Sequence, residues 1–224
     1  MKISNRNFFG LLLVISLPIF LLLLSIEIAS FQMDFFEKKY EEYNISKRTG
    51  LSDKDLLEVT EALLDYLKGE REDIILYKNI NGIKKMVFEE RELLHLRDVK
   101  ILYRNGFTIK NTTLLLSLIS LFYFIVYRKN KFYMYLFISS ILPMIIMIVC
   151  SILINTDFYK YFVYFHEILF TNDLWQLNPN TDILIKMYPL NFFYSIAKNI
   201  SILYISELFI LLSISIYLMK KHKF

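Results

Sequence analysis

Four stretches of this chain, residues 8–28, 112–127, 132–154 and 196–219, are apolar runs on the scale of a lipid bilayer. A hydrocarbon core about 30 Å thick takes roughly 20 helical residues, with tolerance from about 17, and the second run sits at the short end of that range. Backbone in lipid must satisfy its own hydrogen bonds, so each run is expected as a helix. Composition agrees: 55% of residues are hydrophobic and 17% aromatic, with a mean hydropathy of +0.41, too apolar for an ordinary soluble domain. The expected fold class is a mainly α integral membrane protein with four transmembrane helices and a small extracytoplasmic α+β cap.

Basic residues orient the spans. Lys2 and Arg6 precede the first, Arg128, Lys129 and Lys131 join the second to the third, and Lys220, Lys221 and Lys223 follow the fourth, with no Asp or Glu among them. The positive-inside rule then puts both termini in the cytoplasm. The expected organisation is an N-terminal segment and first span (1–28), an extracytoplasmic cap (29–111), a transmembrane hairpin (112–154), an extracytoplasmic interfacial loop (155–195), and a fourth span with a basic tail (196–224). Glu27-Ile28-Ala29-Ser30 offers a small-residue cleavage site, but the first apolar run exceeds a usual signal core and the even number of spans suits two basic ends, so retention is expected.

The first outer segment carries helix and turn signals. Ser52 is placed to cap a helix through Lys68, with Asp55 three residues on, Gly69 past the end, and Leu56, Leu63, Leu64 and Leu67 on one stripe. Asn81-Gly82 between two β-rich runs predicts a two-residue hairpin turn. A second helix, EERELLHLRDVKILYRN, is expected to end near Gly106, completing an αββα cap.

Few residues suit chemistry. The five glycines all lie at or before Gly106, and no Ser stands between two glycines at the spacing of a nucleophile elbow. Cys150, the sole cysteine, excludes an intrachain disulfide and reads as a small hydrophobe. His222 lies in the lysine tail and reads as a solvated cation. His95 and His166 are both expected outside, close in sequence to the outer ends of spans. Glu92, His95 and Asp98 share a helix face at three-residue spacing, where a carboxylate orients an imidazole, although a plain charged face has the same pattern. His166 follows the aromatic run DFYKYFVYF, and Asn172, Asp173, Trp175 and Asp182 come after it; an amphipathic interfacial segment anchored by Trp175 has the same look. Glu27 and Glu207 lie at the edge and near the middle of spans, with no basic partner evident at their depth, and serve structure or function equally well.

ERELLHLRDVK and FHEILFTNDLWQLNPNTDILIKMYP together resemble the lipoprotein intramolecular transacylase family of Gram-positive bacteria. The matching positions are Glu92, His95, Asp98, Val99 and Lys100, then Phe165, His166, Asn172, Asp173, Trp175, Pro179, Thr181, Asp182 and Pro189; Leu96 stands where the family pattern has Met. The resemblance implies a multi-pass cell-membrane enzyme of lipoprotein maturation. Its substrates are diacylglyceryl lipoproteins, and it moves the sn-2 acyl chain to the α-amine of the N-terminal Cys to give a lyso-form lipoprotein. It needs no cofactor, and its partners are those substrates and membrane lipids, not nucleic acid.

An α-amine has a pKa of about 7.7–8.0, so a histidine near 6.5 is a suitable proton acceptor, and a second can protonate the departing glycerol oxygen. His95 and His166 are expected to share these roles, with either order open. Asn172 and Trp175 are candidates for stabilising the oxyanion or positioning substrate, and Glu92, Asp98, Lys100, Asp173 and Asp182 for orienting the catalytic groups. No metal is assigned. The competing readings are a zinc hydrolase using Glu92, His95, Asp98 and His166, and a non-enzymatic scaffold or sensor whose cap binds a partner.

Overall fold

The computed structural model describes residues 5–127 and 132–221. Lys2, the Arg128-Lys129-Asn130-Lys131 link, His222 and Lys223 therefore lie outside the described residues. Among the described residues four helices are long and apolar enough to cross a membrane: α1 (Asn5–Ser30), α5 (Glu90–Tyr127), α6 (Phe132–Thr156) and α9 (Leu190–Lys221). Between them come α2 (Met33–Glu42), α3 (Ile45–Thr49), α4 (Asp53–Lys68), β1 (Tyr77–Ile80), β2 (Ile83–Met86), α7 (Phe158–Leu169) and α8 (Ile183–Met187). The chain divides into two compact units, one comprising residues 1–29, 106–156 and 197–224, the other 30–105 and 157–196.

The first unit is a set of apolar helices whose outward faces keep large aliphatic and aromatic side chains exposed, Phe122 at 67% and Ile152 at 60% among them. In lipid this is the favourable arrangement, since the surroundings are as apolar as the side chains. Its inward side combines buried apolar residues, Leu13, Phe124 and Leu208 among them, with polar contacts. Ser16 and Ser117 share a hydrogen bond of 2.8 Å, Ser25 donates to Glu207 at 3.0 Å, and Tyr204 donates to the Pro18 carbonyl at 3.1 Å. Such bonds replace water that a bilayer does not supply. Glu27, expected without a basic partner, is ion-paired with Lys110. Lys110 lies just before the second apolar run, and its long stem carries the ammonium to a carboxylate that the apolar sequence made look isolated.

The second unit has its own core, built from Phe36, Tyr40, Ile45, Leu56, Val59, Phe88, Met187 and Phe192 among others. Residues of α8 and the start of α9 are thus packed with those of α2–α4. The Ser52 hydroxyl accepts from the Asp55 N–H at 3.1 Å and Gly69 closes α4 in the left-handed region. The hairpin pairs Tyr77 with Met86 and Ile80 with Ile83. Asn81 and Gly82 have φ of +54° and +85°, the two positive values that a type I′ turn demands. Lys78 then ties the hairpin to α4 through Asp55 and Glu58.

Two features depart from expectation. The helix after the hairpin does not end near Gly106 but continues as α5 to Tyr127. A lone glycine costs a helix interior only about 1 kcal/mol, and with no proline behind it the hydrogen-bond demand of the apolar run keeps the helix going. The segment before Ser52 is folded as α2 and α3, where no helix was anticipated.

Candidate active site

His95 sits on the second turn of α5, a helix whose first turn holds Glu90 and Glu92 as favourable charges at its N-terminus. His166 sits on the last turn of α7, which Asp157 caps by accepting from the Lys160 N–H at 3.1 Å. Both imidazoles are buried, each 8% exposed, and their ring centres are 6.2 Å apart. The remainder of α7 is strongly amphipathic, with Ile168 81% exposed and Phe165 51%, so the helix turns His166 inward while its greasy edge faces out.

Each ring is set by its neighbours. His166 Nδ1 lies 2.7 Å from the Phe162 carbonyl, and a carbonyl only accepts, so Nδ1 carries hydrogen and Nε2 of the neutral ring keeps its lone pair. Trp175 lies against the same ring, with centres 4.8 Å apart and planes tilted by 31°. Phe170 meets His95 edge-on at 5.3 Å and His166 at 5.7 Å. Burial lowers the His166 pKa, opposed by the Phe162 carbonyl, which favours the charged ring. Burial, and then the nearby His166, push His95 down to about 4, against an upward pull from Asp98. Both rings are therefore neutral at pH 7. His95 Nδ1 is buried without a hydrogen-bond partner among the described residues, which is uncommon for a buried polar atom.

The other anticipated residues fall into distinct places. Asp98 Oδ2 accepts from the Asn172 side-chain amide at 2.9 Å, joining α5 to the loop after α7. Asp173 pairs with Arg91 through its carboxylate and its backbone carbonyl. Asp182 stitches the loop internally, accepting from the Asn178 N–H at 2.8 Å and the Thr181 hydroxyl at 2.6 Å. Two residues are engaged elsewhere. Glu92 is fully buried, and its oxygens accept from the Leu184 N–H at 2.6 Å and the Glu89 N–H at 2.8 Å; burial raises its pKa against those two bonds. Lys100 donates to the Arg71 carbonyl at 2.7 Å with its ammonium 3.9 Å from the centre of the Tyr66 ring. Both hold the unit together, and among the described residues neither has a hydrogen bond to a histidine.

Phe162, Phe170 and Arg91 were not anticipated. Phe162 contributes a backbone carbonyl one helical turn before His166, a contact that helix spacing allows one to look for but that the residue's identity does not advertise. Among the described residues no three His, Cys, Asp or Glu side chains are grouped as a metal ion needs, in keeping with Glu92 being occupied by backbone N–H groups.

Residues 11–193 match the family described as "Lipoprotein intramolecular transacylase Lit". An uncharacterized protein of Aquifex aeolicus is 28% identical over 201 residues, which is 88% of each chain. Among solved structures, the membrane integral lipoprotein intramolecular transacylase Lit from Bacillus cereus is similar with a TM-score of 0.83 and 22% identity, covering 97% of both chains. A histidine-to-arginine variant of that protein gives 0.77 at 22% identity, over 97% of this chain and 93% of that one. At such identity the structural likeness establishes the fold, and the family match carries the rest.

Proposed function

Because the chain belongs to the lipoprotein intramolecular transacylase family and is a membrane-integral transacylase, we propose that it moves the sn-2 acyl chain of a diacylglyceryl lipoprotein onto the α-amine of the same lipoprotein's N-terminal Cys. The observation that carries this reading is the buried pair of neutral histidines, His95 and His166, brought together from separate segments. The reaction is aminolysis of an ester, and it needs a proton taken from nitrogen and returned to oxygen.

His166 is the proton carrier in this mechanism. Its Nδ1–H is held by the Phe162 carbonyl, so Nε2 accepts a proton from the attacking amine as the N–C bond forms. The resulting imidazolium is supported by that same carbonyl, which favours the charged ring. When the tetrahedral intermediate collapses, the ester C–O bond breaks and Nε2 returns the proton to the glycerol oxygen. His95, kept neutral by burial, is suited to hydrogen-bonding the oxyanion rather than to holding charge; a well-placed donor there contributes about 3 kcal/mol. Trp175 and Asn172 serve by packing on His166 and holding Asp98, which supports positioning roles more than oxyanion roles. Glu92, Lys100, Asp173 and Asp182 brace the segments that carry them. Donor and acceptor lie on one molecule, so holding them in contact supplies much of the rate, with no cofactor required.

The basic residues beside the spans support an orientation with both termini in the cytoplasm and the histidine pair at the extracytoplasmic face, at the level of lipid headgroups and esters. Mass spectrometry of a reporter lipoprotein's N-terminus, in a host lacking other N-acylating enzymes, tests the assignment. N-acylated lyso-form must appear with this chain and be missing without it.

A further inference from the structure

A cleft of about 180 Å³ adjoins the histidine pair, with Asp98, Asn105 and Asn172 on its polar side and Ile101, Leu102 and Phe170 on its apolar side. Phe170 is a shared wall, since the same ring rests edge-on against His95. Asp98 supplies the carboxylate on the wall of this cleft. Asp98 has one neutral amide, from Asn172, and no lysine or arginine ion pair among the described residues. A partly buried carboxylate in a half-apolar cleft favours a cation that is not yet there.

We propose that this cleft is a binding site for a primary ammonium group, with Asp98 as its counter-ion and the Asn105 and Asn172 side chains as partners for the adjoining peptide bond. On the transacylase reading above, that ammonium is the protonated resting form of the α-amine of the substrate's N-terminal Cys; it gives one proton to water before the neutral amine attacks, and His166 takes the second as the N–C bond forms. Asp98 is then a specificity-determining residue that selects a free amine over an amidated one and brings it within reach of the histidines.

The test separates binding from transfer. The probes are a dialkylglyceryl-cysteinyl pentapeptide, whose ether-linked chains cannot migrate, and its N-acetylated counterpart, titrated calorimetrically into the full-length protein in detergent micelles. The wild-type protein is expected to bind the free amine roughly tenfold tighter than the acetylated probe, Asp98→Asn to bring the two within about twofold, and Asp98→Glu to keep most of the preference. His95→Ala, which acts on the chemistry, is expected to keep it too. A wild-type protein without preference, or an Asp98→Asn variant with the preference intact, overturns the proposal. If Asp98→Asn binds neither probe, the Asp98→Glu variant decides: a retained preference supports the site and a lost one overturns it. Failure of the wild-type protein to transfer an ester-linked chain would count against the transacylase reading while leaving this ratio measurable.

Discussion

The His95 and His166 rings have their centres 6.2 Å apart and their planes tilted by 36°, so the two imidazoles belong to one site. Replacing either ring by alanine is expected to reduce acyl transfer by about 10²–10⁴-fold while the protein still inserts in the membrane. Activity of both variants at the wild-type level, read by mass spectrometry of the lipoprotein N-terminus, would remove the pair from the mechanism.

Trp175 is the only tryptophan of the chain, and it packs on His166, so its fluorescence reports that ring. A protonated imidazole quenches indole emission. Because burial lowers the His166 pKa, the quenching midpoint on acidification is expected below the ordinary value of about 6.5. Substituting His166 by Phe should abolish the transition.

His95 makes stability pH-dependent. Its folded pKa of about 4 lies below its unfolded value, so between about pH 6.5 and 4 the unfolded chain takes up a proton that the native state refuses. The stability associated with the neutral buried ring is present above that window and is lost as pH falls through it, by on the order of 3 kcal/mol in full. Thermal unfolding of the wild-type protein against His95→Phe, followed from pH 7 to 4, should show a steeper loss in the wild type.

Glu92 is a bracket rather than a reagent. Truncation to alanine strands the Leu184 and Glu89 N–H groups, at about 1–3 kcal/mol for a buried group left unpaired. Glu92→Gln keeps one acceptor, its amide carbonyl oxygen, and is expected to be milder. The difference should appear in the melting temperature before it appears in the transfer rate measured well below that temperature.

The Lys110–Glu27 pair gives a further check on the membrane unit. Lys110→Ala leaves the Glu27 carboxylate without its cation and should lower the melting temperature, and exchanging the two residues should recover most of the loss. A double exchange as unstable as the single change would show that the two do not act as a pair.

Legibility of these features in the sequence follows how local their causes are. The four long helices, the Ser52 cap and the Asn81-Gly82 turn are dictated by neighbouring residues, so spacing and residue type announce them. His95 and His166 stood out because polar residues are few next to apolar runs. Helix spacing places Glu92 on the same face as His95, whereas the hydrogen-bond partners of its carboxylate are backbone N–H groups, one of them 92 residues away, which spacing does not reveal. The attachment of Lys100 to the Arg71 carbonyl is likewise distant in sequence. Short α2 and α3 lack a sustained apolar stripe, and what holds them is a core shared with Met187 and Phe192, invisible from their own residues.

That shared core also sets a timetable. Its two contributing segments, 30–105 and 157–196, are separated on the ribosome by the whole of the membrane hairpin, an interval of several seconds at about 5–20 residues per second. During that interval the half carrying His95 has neither its counterpart ring nor the Leu184 N–H that Glu92 will grip. A nascent chain is thus inert by construction until its later segment has been made, and truncations between Thr156 and Phe192 should yield inserted but unfinished protein, vulnerable to proteolysis in the region before Gly106.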